Sequence, residues 1–273
     1  MIRVGLLSPV VTRVPGQHSE WERTATPSEL ADIAVEADLV GLHHLTCSQH
    51  AVVPVDVAVT RGGTYWDPLA TLSFLAAFTR RIRLVTSVLV IGYQHPLMLA
   101  KQYATLDRLS RGRIVLGVGV GSLREEFELL DVPFQERGPR ADEALAQLRR
   151  VLNDGLPGYV LDPAPVQHRV PVWVGGNSLR SLRRAVDLGD GWMPFGTSLH
   201  DLRSMLEQVE RPDGFDVVLG PPGLLDPLGD GDRVRRVLDR LERAGATATS
   251  VGLSAESRTH YVEQIHALKE LIG

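Results

Sequence analysis

A glycine-rich junction between a predicted strand and a predicted helix is the first feature of this sequence that suits chemistry. The apolar run Arg113 to Val118 reads as a buried strand, and the alternating glycines Gly117, Gly119 and Gly121 lead into an acidic helix. Glycine lets backbone approach a ligand closely, and a helix start presents unpaired N–H groups with a partial positive charge. Because the spacing differs from the dinucleotide pattern G-x-G-x-x-G, it fits either a flat cofactor or a tight connection. If the junction binds a cofactor, the residues expected to contact it are Val118, Gly119, Val120 and Gly121.

A second turn with chemical potential lies before another predicted helix and consists of Gly175, Gly176, Asn177 and Ser178. Two glycines followed by small polar residues can form a cradle of N–H groups for a phosphate, to which Ser178 adds a hydroxyl and the helix adds its dipole. The same residues also suit a glycine turn that ends in an Asn or Ser helix cap. The sequence leaves both interpretations open.

Both turns must be positioned by eight short apolar runs that alternate with amphipathic stretches, a pattern typical of a parallel sheet with crossover helices. A length of 273 residues suits one (β/α)8 barrel, so we predict a single TIM-barrel domain over residues 1–273 with extended loops at its C-terminal face. The predicted strands are Arg3 to Leu7, Leu42 to Ser48, Ile82 to Val90, Arg113 to Val118, Val172 to Val174, Gly191 to Phe195, Phe215 to Leu219 and Thr249 to Leu253.

Sequence signals also mark where helices begin. Thr26-Pro27-Ser28-Glu29 is a capping box with proline at the first helical position, and Asp67-Pro68 is a similar start. Further helices with apolar faces are predicted over Pro96 to Asp107, Arg137 to Leu152, Ser178 to Leu188, Asp232 to Ala244 and Ser257 to Leu271.

Composition excludes several classes of partner. The formal net charge of −4 gives no basic footprint for a phosphate backbone, so we expect no nucleic acid partner. A single cysteine excludes an internal disulfide, and the N-terminal apolar run is too short for a signal peptide. No apolar segment approaches the roughly 20 residues that span a bilayer. We therefore expect a cytoplasmic protein with no membrane partner.

Two blocks of sequence carry a family resemblance. The segments Tyr65 to Leu145 and Val170 to Phe195 together resemble the luciferase-like monooxygenase superfamily, most closely its coenzyme F420-dependent branch. The resemblance implies a (β/α)8 barrel that forms a homodimer and binds a deazaflavin or flavin at its C-terminal mouth. In such enzymes the cofactor performs the hydride or oxygen chemistry, and the protein supplies shape and charge.

The resemblance also implies roles for particular residues. A bulge with a non-prolyl cis peptide is expected at the end of strand three, between Ser87 and Val88, where it presses on the ring. Relatives carry Asp-His or Glu-His near the end of strand two, and the counterpart here is Gln49-His50. His50 is therefore the expected proton donor or acceptor, although the neutral Gln49 cannot stabilise an imidazolium as a carboxylate would. The cofactor's phosphate is expected at the turn from Gly175 to Ser178.

Three histidines near strand two raise the alternative of a metal-dependent barrel hydrolase. Adjacent side chains on a strand face opposite ways, so we expect His43 and His44 not to ligate one ion. His44 and His50 would lie about 20 Å apart along an extended strand. We therefore predict no metal site, and we interpret Cys47 as a small core residue rather than a nucleophile.

The favoured hypothesis is an F420-dependent oxidoreductase that moves a hydride between the deazaflavin C5 and a small organic substrate. The alternative within the same fold is an FMN-dependent monooxygenase that uses molecular oxygen. A third hypothesis is a non-catalytic F420-binding protein, which the neutral residue Gln49 keeps open. The substrate itself is not readable from the sequence.

Overall fold

The computed structural model describes residues 2–273, in which eight parallel strands close into a barrel. Each strand pairs with the next, and the last returns to the first with Arg3 opposite Ala248. The predicted (β/α)8 barrel is confirmed; Met1, which begins the predicted domain, lies outside the described residues. The strands are β1 Arg3–Leu7, β2 His44–Cys47, β3 Arg83–Thr86, β4 Ile114–Gly119, β5 Val172–Gly175, β6 Gly191–Met193, β7 Asp216–Leu219 and β8 Ala248–Leu253.

Helices connect the strands and cover the outside of the barrel. None of those in residues 2–273 is long and apolar enough to cross a membrane. The sequence pattern did not predict α2 and α8, because a helix with few buried residues lacks a clear apolar face. None of the residues of α2 is buried, and only two residues of α8 are buried. The α-helices are α1 Pro27–Leu39, α2 Val55–Arg61, α3 Pro68–Phe78, α4 Pro96–Ser110, α5 Arg124–Leu129, α6 Arg137–Asp154, α7 Leu179–Leu188, α8 Leu199–Glu207, α9 Gly231–Arg243 and α10 Arg258–Ile272.

The predicted helix starts are confirmed by their hydrogen bonds. Thr26 and Glu29 form a reciprocal capping box, in which the Glu29 carboxylate accepts from Thr26 N at 2.7 Å. The Asp67 side chain accepts from Ala70 N at 2.8 Å. Such caps satisfy N–H groups that the first helical turn leaves unpaired, and each stabilises the protein by about 1 kcal/mol.

Side chains that alternate along the strands fill the inside of the barrel. A small apolar cluster contains Trp173 of β5 and valines and an alanine from other strands. His44 is fully buried beside it, with its ring centroid 5.6 Å from that of Trp173. The ring occupies the space of a missing side chain at Gly5, since a Cβ there would overlap it. A larger cluster packs between strands and helices.

Extended loops lie at the C-terminal ends of the strands, as predicted. The loop after β1 and the loop after β2 meet in an antiparallel ribbon, in which Thr12–Arg13 pairs with Thr64–Tyr65. Another short strand, Leu224–Leu225, follows β7 and pairs with β8. These connections build walls above one end of the barrel.

Candidate functional site

The residues singled out in the sequence lie at the C-terminal ends of four neighbouring strands. His50 follows β2, Ser87 follows β3, Gly121 follows β4 and Ser178 follows β5. Parallel strands end on the same side of a barrel, which is the side where enzymes of this architecture carry their active sites. We call residues 48–54, 87–93, 119–126 and 175–181 the C-terminal rim.

The third barrel strand is interrupted at the C-terminal rim. The sequence pattern predicts one strand over Ile82 to Val90, but β3 ends at Thr86 and pairing with β4 resumes only at Leu89–Val90. The peptide between Ser87 and Val88 is cis, as the family resemblance implies. The predicted continuous strand is therefore wrong, and the predicted cis peptide is confirmed.

Val88 packs between two of the predicted cofactor-binding glycines. A Cβ at Gly119 would lie 2.7 Å from one Val88 methyl carbon, and a Cβ at Gly175 would lie 2.9 Å from the other. Carbon atoms in contact prefer a separation of about 3.5 to 4.0 Å, so a side chain at either position would displace Val88. The sequence analysis relates Gly119 to a ligand, whereas the structure places the protein's own valine there. Contact of these residues with a cofactor stays a prediction.

The other residues of the glycine junction are held by packing. Gly121 has a φ of +81°, and a Cβ there would lie 2.6 Å from the Phe127 ring. Val118 is buried in the large core cluster, and Val120 packs half-buried against that cluster. If these residues bind a cofactor, they would do so mainly through their backbone atoms. Their role in cofactor binding stays a prediction.

His50 is paired with a buried carboxylate at the C-terminal rim. Its Nδ1 atom lies 2.6 Å from Oε2 of Glu126 on α5. The Glu126 side chain is 0% exposed, whereas the His50 side chain is 17% exposed. Tyr93 donates its hydroxyl to the same Oε2 at 2.9 Å, and Ala51 N donates to Oε1 at 2.6 Å. His50 thus has one ring nitrogen anchored, which leaves Nε2 available for another partner.

The electrostatic balance at Glu126 favours its charged form. Burial raises the pKa of this carboxyl, but the hydrogen bond and charge of His50, the Tyr93 hydroxyl and the backbone N–H of Ala51 outweigh burial, so the pKa is lowered. An ionised carboxylate only accepts hydrogen bonds, so Nδ1 of His50 carries the proton. The proton that Nε2 holds or lacks then determines the charge of the imidazole.

Gln49 does not take the place of the carboxylate beside His50. Its Oε1 accepts from Val90 N at 2.8 Å, so it anchors the short strand that follows the cis peptide. The sequence analysis considers only Gln49 as the neighbour of His50, and it misses the carboxylate of Glu126, which the structure places at the ring. The only signal in the sequence was the pair of adjacent acids Glu125 and Glu126 in the first turn of α5. Acidic residues are common there, because the positive end of the helix dipole stabilises a negative charge, so this signal is not specific.

The turn from Gly175 to Ser178 forms a helix cap. Ser181 N donates to Ser178 Oγ at 3.2 Å, and Ser178 N donates to Ser181 Oγ at 3.1 Å. Asn177 and Ser178 are exposed, and Gly176 has a φ of +137° with Ser181 packed beside it. The helix-cap interpretation is therefore confirmed, and the phosphate cradle stays a prediction.

The two adjacent histidines are arranged differently from the sequence expectation. Nδ1 of His43 lies 2.8 Å from Nδ1 of His44, because His43 precedes the start of β2 and strand alternation does not separate the rings. In residues 2–273, no group of three His, Cys, Asp or Glu side chains could hold a metal ion. Cys47 is buried as predicted, and burial raises the pKa of its thiol to about 12.

A cavity of about 120 Å³ opens on the same side of the barrel. Its walls include Ser8 after β1, Thr12 in the ribbon, and Ser48 after β2. The hydroxyls of Ser8 and Thr12 are buried and have no hydrogen-bond partner within residues 2–273. An unpartnered buried hydroxyl costs about 1 to 3 kcal/mol, so these two groups suit a ligand with a hydrogen-bonding oxygen.

Comparison with known proteins identifies the family. The family described as luciferase-like monooxygenase matches residues 2–222, which is more than half of the chain. The chain belongs to the luciferase-like monooxygenase family.

Two proteins of Mycobacterium tuberculosis are similar in sequence. One, of uncharacterised function, is 34% identical over 161 residues, which are 55% of this chain and 55% of that protein. The other, a phthiodiolone/phenolphthiodiolone dimycocerosates ketoreductase, is 28% identical over 213 residues, which are 70% of this chain and 54% of that protein. The matched region thus spans little more than half the length of either relative.

Three solved structures share the fold. Monooxygenase RslO1 from Streptomyces bottropensis has a TM-score of 0.78 at 19% identity, with 99% of this chain and 98% of that chain covered. An F420-dependent secondary alcohol dehydrogenase with an F420-acetone adduct has a TM-score of 0.73 at 14% identity and the same coverage. The FMN-bound oxygenating constituent of 3,6-diketocamphane monooxygenase from Pseudomonas putida has a TM-score of 0.71 at 16% identity, covering 100% and 98%.

Proposed function

We propose that this protein is an F420-dependent oxidoreductase that transfers a hydride between C5 of the deazaflavin and a small organic substrate. The observation that carries the proposal is the 2.6 Å contact between His50 Nδ1 and Glu126 Oε2 at the C-terminal rim. A proton-exchanging group held by a buried carboxylate suits a reaction in which a carbonyl and a hydroxyl interconvert.

The residues at the rim fit a flat redox cofactor. Val88 is half-buried and offers an apolar wall. The cavity on the same side of the barrel contains the unpartnered hydroxyls of Ser8 and Thr12. When bound, F420 accepts or supplies the hydride. In this proposal the ring contacts are Ser87, Val88, Val118, Gly119, Val120 and Gly121, and the phosphate contacts are Gly175, Gly176, Asn177 and Ser178.

His50 handles the proton that accompanies the hydride. In the oxidation of an alcohol, the carbon gives up its hydrogen with both bonding electrons, and the hydroxyl proton passes to Nε2 of His50. Reduction of a carbonyl reverses both transfers, so charge and atoms balance in each direction. The Glu126 carboxylate stabilises the imidazolium that forms, because opposite charges in contact favour the ionised states.

The unpartnered hydroxyls support a substrate with a single hydrogen-bonding oxygen. A ketone or a secondary alcohol presents one oxygen, which Ser8 or Thr12 can hydrogen-bond in the cavity above the barrel. The ketoreductase relative acts on a carbonyl, in keeping with this choice. We also propose that the enzyme works as a homodimer on a small molecule, without a nucleic acid or membrane partner.

An FMN-dependent monooxygenase is the second candidate, because the FMN-bound monooxygenase from Pseudomonas putida has the same fold. Fluorescence titration of the purified protein with F420 and with FMN distinguishes the two. We expect F420 to bind more tightly and reduced F420 to be consumed with ketones in the absence of oxygen. Tighter FMN binding with oxygen-dependent turnover would favour the monooxygenase. Tight F420 binding without turnover on a panel of ketones and secondary alcohols would leave a binding protein.

A further inference from the structure

A second cavity, of about 230 Å³, opens at the opposite end of the barrel from the C-terminal rim. Its walls are formed by residues at the starts of strands, where β1, β3 and β7 begin with Arg3, Arg83 and Asp216. His43 and Trp173 complete the inner wall, with nearly parallel rings whose centroids lie 6.5 Å apart. The proposed redox chemistry uses none of these residues.

Both carboxylates of this cavity are already neutralised. Asp216 forms an ion pair with Arg3 and accepts from Trp173 Nε1 at 3.1 Å. Asp190 is contacted by Arg149 at 3.1 Å and by Arg169 at 2.6 Å. Each aspartate thus has at least one arginine of its own, and neither is available to another cation.

Arg83 is the cation that remains. It is half-buried in the cavity wall, and its guanidinium has no hydrogen bond or ion pair with any of residues 2–273. Its backbone N donates to the carbonyl of His43 at 3.0 Å, which places the two residues side by side. A guanidinium has five N–H donors in a planar fork that matches an oxyanion, so an unpaired arginine in a cavity suits an anionic ligand.

The charges of the residues that line the cavity also favour an anionic ligand. The cavity lining carries Arg3, Arg83 and Arg169 against Asp190 and Asp216, which leaves a net charge of +1 when His43 is neutral. Burial first, and then the charges of Arg3 and Arg83, lower the pKa of His43 to about 4, against the opposing charge of Asp216. Nδ1 of this ring meets His44, whereas Nε2 has no partner in residues 2–273.

We propose that the cavity binds a phosphate group, free or as a monoester, between Arg83 and His43. A phosphate near neutral pH carries up to two negative charges, so it suits a cavity whose lining has an excess of positive charge. The Arg83 fork supplies two N–H donors and His43 supplies Nε2. A bound anion favours the protonated form of the His43 imidazole. Hydrogen bonds join His43 with His44 and His44 with Ser250, so the site is connected to the interior of the barrel.

Calorimetric titration with inorganic phosphate at constant ionic strength tests the site. We expect saturable binding on the order of 1 mM or tighter by the wild type, and binding about 10-fold or more weaker by Arg83→Gln. Arg236→Gln is the matched control, because this arginine is exposed on α9 and does not line the cavity, so its loss should change nothing. Glycerol phosphate and acetate in parallel titrations distinguish a monoester from the free ion and a phosphate from a carboxylate.

A second readout covers the case that Arg83→Gln does not fold. Arg83→Lys keeps the charge with fewer fixed donors, so it should bind phosphate with intermediate affinity. Nitrogen-15 NMR of the histidine rings should show the pKa of His43 rising when phosphate is added to the wild type. The proposal is overturned if the wild type shows no saturable binding, if both arginine variants bind like the wild type, or if acetate binds as tightly as phosphate.

Discussion

Nδ1 of His50 and Oε2 of Glu126 lie 2.6 Å apart, although 76 positions separate the two residues in the chain. The loop after β2 brings the imidazole, and the helix after the glycine junction brings the carboxylate. Two different strand ends of the barrel thus combine into one acid–base pair. The pair makes the glutamate a positioning residue for the histidine.

Replacement of the glutamate tests this role. We expect Glu126→Gln to lower kcat by about 100-fold or more, because a neutral amide can hold the ring but cannot stabilise its charged form. Cofactor affinity should stay unchanged, and Glu126→Asp should recover part of the activity. Glu125→Gln is the matched control, since this neighbour on α5 is exposed. Steady-state kinetics with F420 and a ketone measure the effect, and equal kcat values for the two glutamine variants would contradict it.

Removal of the imidazole gives a related prediction. His50→Ala should lower kcat by about 100-fold or more, in the range found for general acid–base groups, while F420 binding is retained. Single-turnover measurement of F420 absorbance separates binding from chemistry. An unchanged rate would reduce His50 to a packing residue.

The contact between Val88 and Gly119 predicts coupled effects on stability. Gly119→Ala should destabilise the protein by about 1 to 3 kcal/mol, because the new methyl group would lie 2.7 Å from a Val88 methyl carbon. Val88→Ala in that background should recover stability, although alone it leaves a gap. Urea unfolding of the four proteins in this cycle measures the coupling energy. Strictly additive effects would show that the valine can move aside freely.

The predicted phosphate cradle is best tested by changing the cofactor. Ser178 already caps α7, so Ser178→Ala would weaken the helix whether or not a phosphate binds. A deazaflavin that lacks the phosphate and tail should bind about 10-fold or more weakly than complete F420, because charged hydrogen bonds to the turn are lost. Fluorescence titration gives both affinities. Equal affinities would remove Gly175 to Ser178 from the site.

The buried histidine pair predicts a pH dependence of stability. Burial lowers the pKa of His43 to about 4 and lowers the pKa of His44 as well, so the folded protein takes up fewer protons than the unfolded chain below the ordinary value of 6.5. Stability should therefore fall as the pH falls from about 6.5 towards 4. Urea unfolding in phosphate-free buffer should show a shallower fall for His43→Gln, and the exposed His200→Gln is the control. Parallel curves for wild type and His43→Gln would refute this assignment.

The barrel could be predicted because its strands are short apolar runs, and each one is found within a few residues of its predicted place. The break after Thr86 could be expected only from the family resemblance, since Val88 to Val90 continue the apolar run that a strand requires. The pair of His50 and Glu126 depends on a tertiary contact that no local spacing encodes. The predicted helix cap at Ser178 succeeded because its partners lie within one turn.

The position of Val88 between Gly119 and Gly175 also limits how this protein can evolve. Side-chain volume at the rim is shared between Val88, which follows β3, and the glycines that end β4 and β5, so an added methyl group at one position requires a loss at another. Substitutions that reshape the space above the barrel are therefore epistatic, and their order matters. A mutational path that first shortens residue 88 leaves a gap but makes room at both glycine positions, whereas a path that begins at either glycine first creates an overlap with Val88.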